Sequence, residues 1–135
     1  AKSGANVDMI VQNVSAAATG RTDISFTLPK SDAATALRAL ASEQAGIGFE
    51  SLVHDDQIGK LSVVGAGMRT HSGVSATLFE ALSTAGVNIE MISTSEIRIS
   101  VVLRGDDLAQ AARVVHTAFG LDAEVEAVVH AGTGR

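Results

Sequence analysis

The sequence predicts an α+β protein of two similar modules, each an antiparallel sheet with its helices on one face. The first observation is a repeat: Gly-Ala-Asn-Val-Asp-Met-Ile at 4–10, the first repeat segment, is matched position for position by Gly-Val-Asn-Ile-Glu-Met-Ile at 86–92, the second repeat segment. The second is periodicity, because apolar residues alternate in several short runs and recur at helical spacing in others. Two copies of one unit in such a pattern indicate homologous modules.

Composition and charge narrow the class of protein. Hydrophobic residues make up 46% of the 135 positions but aromatic residues only 3%, so the core must be thin and would favour burial against a partner chain. A net charge of −5 with interspersed signs does not indicate binding to nucleic acid. No apolar run reaches the roughly 18 residues of a membrane span, and no cysteine is present for disulfide or thiolate chemistry. A cytoplasmic protein without a signal peptide is expected, and the start at Ala1 suggests a piece of something longer.

The first module is expected to open on a strand. Residues 1–4 are interpreted as a helix end closed by Gly4, residues 5–11 as a strand with Val7, Met9 and Val11 on one side, and residues 13–22 as a loop. A second strand at 23–28 ends at Pro29, and Ser31 or Asp32 caps a helix that Gly46 and Gly48 stop. The expected inner positions are Ile24, Phe26 and Leu28 in the strand and Ala33, Leu37, Leu40 and Ala41 in the helix.

The second module is expected to contain all six elements. They are a strand at 61–64, a helix at 74–85 closed by Gly86, a strand at 86–92 turning at 93–95, a strand at 96–104, a helix from Asp106 or Asp107 to Gly120, and a strand at 125–129, whereas a short strand at 49–53 is expected to end the first module. The expected inner positions are Val74, Leu78, Ala81, Leu82, Ala85, Ile97, Ile99, Val101, Leu103, Leu108, Ala112, Val115 and Phe119. The order βαββαβ is the ferredoxin-like arrangement, and the first module would lack its opening strand and most of its first helix. Such a sheet leaves one face and an edge to be covered, so the modules are expected to pair.

A glycine-rich run at 65–70 follows a strand and precedes a helix, as a dinucleotide-binding loop does. That fingerprint needs a third glycine where Thr70 stands, and the helix begins several residues later. We interpret the run as glycines that let backbone amides approach a small anionic group such as a carboxylate. His71 shares the loop with Met68 and Gly73 and is considered for ligand contact, whereas no two histidines have the spacing of a metal site.

Asn6 and Asn88 follow the two helix-ending glycines, although asparagine is depleted in strands. One interpretation is that each asparagine fixes the turn, and the other is that its amide binds a ligand's amino or carboxylate group. Asp8 and Glu90 lie two residues further on, on the same strand face, and could take an ammonium. An amide beside a carboxylate predicts an amino-acid site. No nucleophile stands beside a base, so the chain alone is not expected to be an enzyme.

Four stretches closely resemble the regulatory region of aspartate kinase, namely 8–15, 59–68, 87–100 and 131–135. The similarity covers essentially the whole chain and is greatest to the actinobacterial form, whose regulatory part also exists as a separate β subunit. The resemblance implies two ACT domains, which are ferredoxin-like modules that bind small molecules. Domain 1 would comprise 1–46 plus 125–135, lacking its first strand and a Pro-Gly loop that contacts the effector, and domain 2 would be 47–124, inserted in the first. The strand pattern alone assigns 49–53 and 125–129 the other way.

The resemblance also implies a function. This chain would be the non-catalytic regulatory part of an enzyme whose separate catalytic subunit phosphorylates aspartate with ATP. Lysine and/or threonine would bind where ACT domains pair in a homodimer, giving allosteric feedback inhibition of the aspartate pathway without cofactor, metal, nucleic acid or membrane. The alternatives are a free-standing ACT sensor regulating another enzyme, a phosphoryl-transfer enzyme, which would need a phosphate-binding lysine loop, and a purely structural dimerisation module.

The resemblance assigns residues to two kinds of crevice. In one, Gln12 would hold the threonine side chain, with Asn88 and the backbone of Ile89 on the amino-acid end. In the other, Asp8 would take a lysine ε-ammonium. The whole expected effector-binding set is Asn6, Asp8, Gln12, Met68, His71, Gly73, Val74, Ser75, Asn88, Ile89, Glu90, Thr94, Ser95 and Glu96. Ser15 and Ser25 lie where substitutions in the family relieve inhibition.

Overall fold

The computed structural model describes residues 2–14, 20–66, 68 and 73–122. It divides the chain into two units, Ala1–Asp56 and Gln57–Arg135, each with its own antiparallel sheet. The α+β class with antiparallel strands is therefore confirmed. The predicted domain boundaries remain a prediction, because the strand expected at 125–129 lies outside the described residues.

The first unit contains a strand pair followed by helices. Strands β1 (Ile10–Val14) and β2 (Thr22–Phe26) are antiparallel, with Ile10 opposite Phe26. A 3-10 turn, Lys30–Asp32, leads into helices α1 (Ala33–Ser42) and α2 (Gln44–Ile47). Gly48 ends α2 in the left-handed region, with φ 82°. Gly46 lies inside α2, so only the second of the two predicted helix-stopping glycines acts as one.

The register of β1 and β2 corrects part of the predicted inner side. Ile24 pairs with Gln12, which places it on the face that carries Ile10, while Met9 and Val11 lie on the other face. Met9 is buried, but Ile24 is 63% exposed rather than inward. In α1 the buried residue is Ala36, and Ala41 is exposed, so the helix turns a slightly different stripe inward from the one predicted.

The second unit is a three-stranded sheet with two helices. Its strands are β3 (Ile58–Val64), β4 (Met91–Thr94) and β5 (Arg98–Arg104), in the order β3-β5-β4, and all pairs are antiparallel. Helices α3 (Val74–Thr84) and α4 (Leu108–Ala118) pack against each other. Chain order is therefore β-α-β-β-α, which gives five of the six elements predicted for this module.

The core of the second unit lies between its sheet and its helices. Its buried members are Leu78, Leu82, Val87, Ile99, Val101, Leu103, Ala111 and Val115. The inward positions Ile99, Val101 and Leu103 of β5 and the stripe of α3 are thus confirmed, whereas Ile97, also predicted to be inward, lies in the turn before β5 and is 53% exposed. Ala112 is exposed and Ala111 is buried in its place, because the stripe of α4 runs through 108, 111, 115 and 119.

Several predicted boundaries are wrong. β4 begins at Met91, five residues later than expected, and the turn after it is centred on Glu96 and Ile97, since the Ser95 amide bonds the Arg98 carbonyl at 2.7 Å. Residues 49–53 form no strand. The side chains of β5 between its inward residues are buried as well, because β5 is the central strand and side chains of β3 and β4 lie beside its own: Ser100 is 4% exposed, and its hydroxyl lies 2.7 Å from that of Ser62.

Candidate effector site

The two repeat segments begin with the same backbone conformation. Gly4 and Gly86 are left-handed, with φ values of 75° and 71°, as predicted for helix-ending glycines. After α3 the Gly86 amide donates to Ser83 at 3.0 Å and the Val87 amide to Leu82 at 2.9 Å, which is the paired bonding of a Schellman motif. Both repeat segments therefore begin with a left-handed glycine.

Each repeat segment next makes a β-bulge at its carboxylate. In the first, the Asp8 amide donates to the Thr27 carbonyl and the Thr27 amide to the Met9 carbonyl, both at 2.9 Å. Asp8 and Met9 on one strand thus oppose the single residue Thr27 on the other, which is the arrangement of a β-bulge. In the second, the Glu90 amide donates to the Val102 carbonyl at 2.8 Å, although Val102 is the register partner of Met91. A bulge re-aims side chains at the end of a strand, and here it falls on the carboxylate of both segments.

The surroundings of the two bulges differ in their side chains. The Met9 amide donates to the Thr27 hydroxyl at 3.2 Å, and the Asn6 amide donates to Asp32 Oδ2 at 3.2 Å. Val102 has no hydroxyl with which to reproduce the first of these bonds. Glu90 instead forms an ion pair with Arg104, with Oε1 and Nη1 3.8 Å apart.

The predicted polar residues of the repeat segments are accessible. Asn6, Asp8, Asn88 and Glu90 are all exposed, and so is Gln12 on β1. Within each segment the asparagine and the exposed carboxylate are two residues apart. An amide can bond a carboxylate or an ammonium, and a carboxylate can bond an ammonium. The arrangement suits the two ends of an amino acid.

A second group of predicted residues collects at one end of the second sheet. The Gly65 amide donates to the Ile97 carbonyl at 2.9 Å, which fixes the start of the glycine-rich loop beside the β4–β5 hairpin tip. Thr94 ends β4 and Ser95 begins the tip, where the exposed Glu96 also lies. Met68 and Val74 are half-buried and pack against the core of the second unit. The structure therefore brings the start of the loop and the hairpin tip to the same end of this sheet.

The helix that follows the loop begins without a side-chain cap. Gly73 is the N-cap residue of α3, and its carbonyl accepts the Thr77 amide at 2.8 Å. Ser75 is exposed on the first turn. The first amides of a helix favour an anionic group such as a carboxylate. His71 lies outside the described residues.

The two groups of the second unit are separated along β4. Asn88, Ile89 and Glu90 precede that strand, and Ser95 follows it. Five residues at strand spacing span about 16 Å from Glu90 to Ser95. A single amino acid cannot reach both, so these residues form two separate groups.

Sequence reasoning missed the side chains that hold these segments. Thr27 showed only as the end of an alternating strand, and Asp32 as a helix cap. Asp32 is the N-cap residue of α1, but its side chain makes no capping bond. The sequence did not predict the ion pair that Arg104, the last residue of β5, forms with Glu90. Among the described residues, no three carboxylates or histidines gather in a group that could hold a metal ion.

The fold and a sequence profile agree on the class of protein. The profile of the ACT domain family matches residues 61–119, which run from β3 to the end of α4. This stretch is one ACT domain without its last strand. None of the helices in the described part of the chain is long and apolar enough to cross a membrane.

Similar proteins narrow the class to one family. A crystal structure of aspartokinase alpha and beta subunits is 44% identical, with a TM-score of 0.79, over 88% of this chain and 76% of that one. The ligand-free regulatory subunit of aspartate kinase from Thermus thermophilus is 42% identical, with a TM-score of 0.78, over 87% and 76%. The chain belongs to the family of ACT-domain regulatory regions of aspartate kinase.

Longer relatives match across the chain as well. The aspartokinase of Mycolicibacterium smegmatis is 50% identical over 135 residues, which is 100% of this chain and 32% of the relative. That of Corynebacterium glutamicum is 55% identical over 130 residues, which is 96% of this chain and 31% of the relative. The chain spans about a third of the length of these two relatives.

Proposed function

We propose that this chain is the regulatory part of an aspartate kinase and that it binds lysine, threonine or both where ACT domains of two molecules pair. The observation that carries the proposal is the duplicated bulge, at which each repeat segment has an exposed carboxylate two residues after an exposed asparagine. The kinship with regulatory subunits supports assigning this geometry to control of a kinase.

Each proposed residue has a chemical task. In the first kind of site, Asn88 and the Ile89 backbone bind the amino-acid end of the effector, and Gln12 bonds the threonine hydroxyl. Asp8 belongs to the second kind of site, where it accepts the ε-ammonium of lysine, because a carboxylate gives a charged amine a stronger hydrogen bond than a neutral acceptor does. Asn6 in the first repeat segment matches Asn88 in the second, and Glu90 in the second matches Asp8 in the first.

The second kind of site uses the end of the second sheet where the loop and the hairpin tip meet. Amides at the start of α3 receive the effector carboxylate, and Ser95, Thr94 and Glu96 supply polar contacts. The remaining members of this proposed site are Met68, His71, Gly73, Val74 and Ser75.

Binding regulates the kinase by selecting one arrangement of the paired domains. A ligand that touches both walls of a crevice is bound only where both walls meet, and it shifts the protein toward that arrangement. The shift is limited by the difference in affinity for the two arrangements, typically about 1–3 kcal/mol of coupling. That coupling lowers the rate at which a separate catalytic subunit phosphorylates aspartate with ATP.

Titration calorimetry tests the binding, and reconstitution with the catalytic subunit tests the regulation. Lysine or threonine should release or absorb heat and lower the kinase rate, and sedimentation should give a dimer. Leucine, which has neither an ε-ammonium nor a hydroxyl, is the control ligand. The proposal fails if neither effector binds. It also fails if the chain binds another amino acid and leaves the kinase rate unchanged, which would indicate a sensor for another enzyme.

A further inference from the structure

The first repeat segment is held by bonds to two side chains, and no such bonds are seen at the second among the described residues, although Asp107 is the N-cap residue of α4 as Asp32 is of α1. Asp32 Oδ2 accepts the Asn6 amide and the Thr27 hydroxyl accepts the Met9 amide, each at 3.2 Å. We infer that Asp32 and Thr27 are positioning residues for effector binding, which fix the segment 6–9 so that Asn6 and Asp8 can meet a ligand together. This inference rests on the proposed function.

Asp32 occupies a place where a different contact is expected. An aspartate at the N-cap normally accepts a hydrogen bond from the second or third amide of its own helix. Asp32 makes no such bond with α1 and instead bonds a residue 26 positions earlier in the chain. The carboxylate therefore fastens the extended segment to the start of α1.

All three hydrogen-bonding groups of Thr27 bond to the two consecutive residues Asp8 and Met9. Its carbonyl accepts the Asp8 amide, its amide donates to the Met9 carbonyl, and its hydroxyl accepts the Met9 amide. In an extended segment the amides of residues two apart point the same way. The Asn6 and Asp8 amides are thus bonded from one side, while the two side chains remain exposed.

The second repeat segment offers a comparison within the same chain. Val102 stands where Thr27 stands in the first unit, so its bulge is closed by backbone bonds without a hydroxyl. A valine at this place is therefore compatible with the bulge itself. Replacing Thr27 by valine removes the hydroxyl and keeps the branched shape.

Two matched pairs of variants test whether Asp32 and Thr27 act by holding the segment 6–9 in place. Asp32→Ala removes the acceptor, whereas Asp32→Asn keeps an acceptor oxygen without the charge. Thr27→Val removes the hydroxyl, whereas Thr27→Ser keeps it. If each bond restrains the segment, Asp32→Ala and Thr27→Val should weaken lysine or threonine binding by about 2- to 10-fold, and the conservative partners should bind like the unaltered chain.

The measurements are calorimetry on the 135-residue chain and amide hydrogen exchange without ligand. Exchange at Asn6 should accelerate in Asp32→Ala, and exchange at Met9 in Thr27→Val, with little change elsewhere in the first unit. Equal affinities in all four variants and the unaltered chain would overturn the inference alone. So would a loss of affinity in Asp32→Asn equal to that in Asp32→Ala, because the charge would then act directly on the ligand. If the unaltered chain binds neither amino acid, the proposed function fails and this inference fails with it.

Discussion

Gly59 of β3 lies directly beneath Leu108, the first residue of α4. A Cβ atom at position 59 would be 2.8 Å from Leu108 Cδ2, closer than such atoms approach in proteins, and 3.3 Å from its Cγ, a tight contact. Gly59→Ala should therefore lower the free energy of unfolding by about 1–3 kcal/mol, the usual cost of overpacking. Urea denaturation followed by circular dichroism measures this loss.

Gly65 is the matched control for that change. A Cβ atom at position 65 meets nothing within 4 Å. Gly65→Ala should leave stability unchanged or raise it by less than about 1 kcal/mol, because it only reduces the freedom of the unfolded chain. Equal effects at the two glycines would contradict the close packing of β3 and α4.

Ser62 and Ser100 form a polar pair across β3 and β5, with their hydroxyl oxygens 2.7 Å apart. Replacing one serine by alanine leaves the other hydroxyl without this partner in a largely buried place, which costs about 1–3 kcal/mol. Replacing both should cost less than the sum of the single changes. A double-mutant cycle of unfolding free energies measures the difference, and strict additivity would show that the two hydroxyls act independently.

Gly86 tests the turn that joins α3 to the second repeat segment. Its φ of 71° places an L-residue's Cβ against the following carbonyl, so Gly86→Ala should cost about 1–2 kcal/mol. Gly86→Asn should cost less, because asparagine tolerates the left-handed region better than alanine does. Thermal unfolding measures the stability of both variants. A smaller loss of stability in Gly86→Ala than in Gly86→Asn would contradict a left-handed conformation at position 86.

The parts of the fold that the sequence predicted are those set by local periodicity. The alternation of Ile99, Val101 and Leu103 and the stripe containing Leu78 and Leu82 follow from the two- and 3.6-residue periods, and the structure confirms both. Periodicity does not report strand register or position within a sheet. Ile24 was therefore assigned to the wrong face, and the burial of Ser100 and Val102 between the predicted inner residues of β5 was not predicted.

The candidate site was predictable to the extent that it is repeated. An asparagine followed two residues later by a carboxylate, as in Asn6 and Asp8 and again in Asn88 and Glu90, can be recognised because the chain contains this pattern twice. The bonds that hold the first pair are not visible, because Asp32 lies 26 residues from Asn6 and Thr27 lies 18 residues from Met9. Asp32 also matched a local helix-cap signal, and a long-range contact replaced that local one.

Asp8 gives the sharpest test of which effector the first repeat segment binds. If its carboxylate accepts a lysine ε-ammonium, Asp8→Asn should weaken lysine binding by about 10- to 100-fold, the range for a hydrogen bond to a charged group. Threonine has no side-chain ammonium, so its affinity should change less than about threefold. Asp23→Asn removes the same charge from an exposed position on β2 and should affect neither ligand. Parallel loss of both effectors in Asp8→Asn would show that Asp8 shapes the segment rather than contacting lysine, and an equal loss in Asp23→Asn would reduce the effect to overall charge.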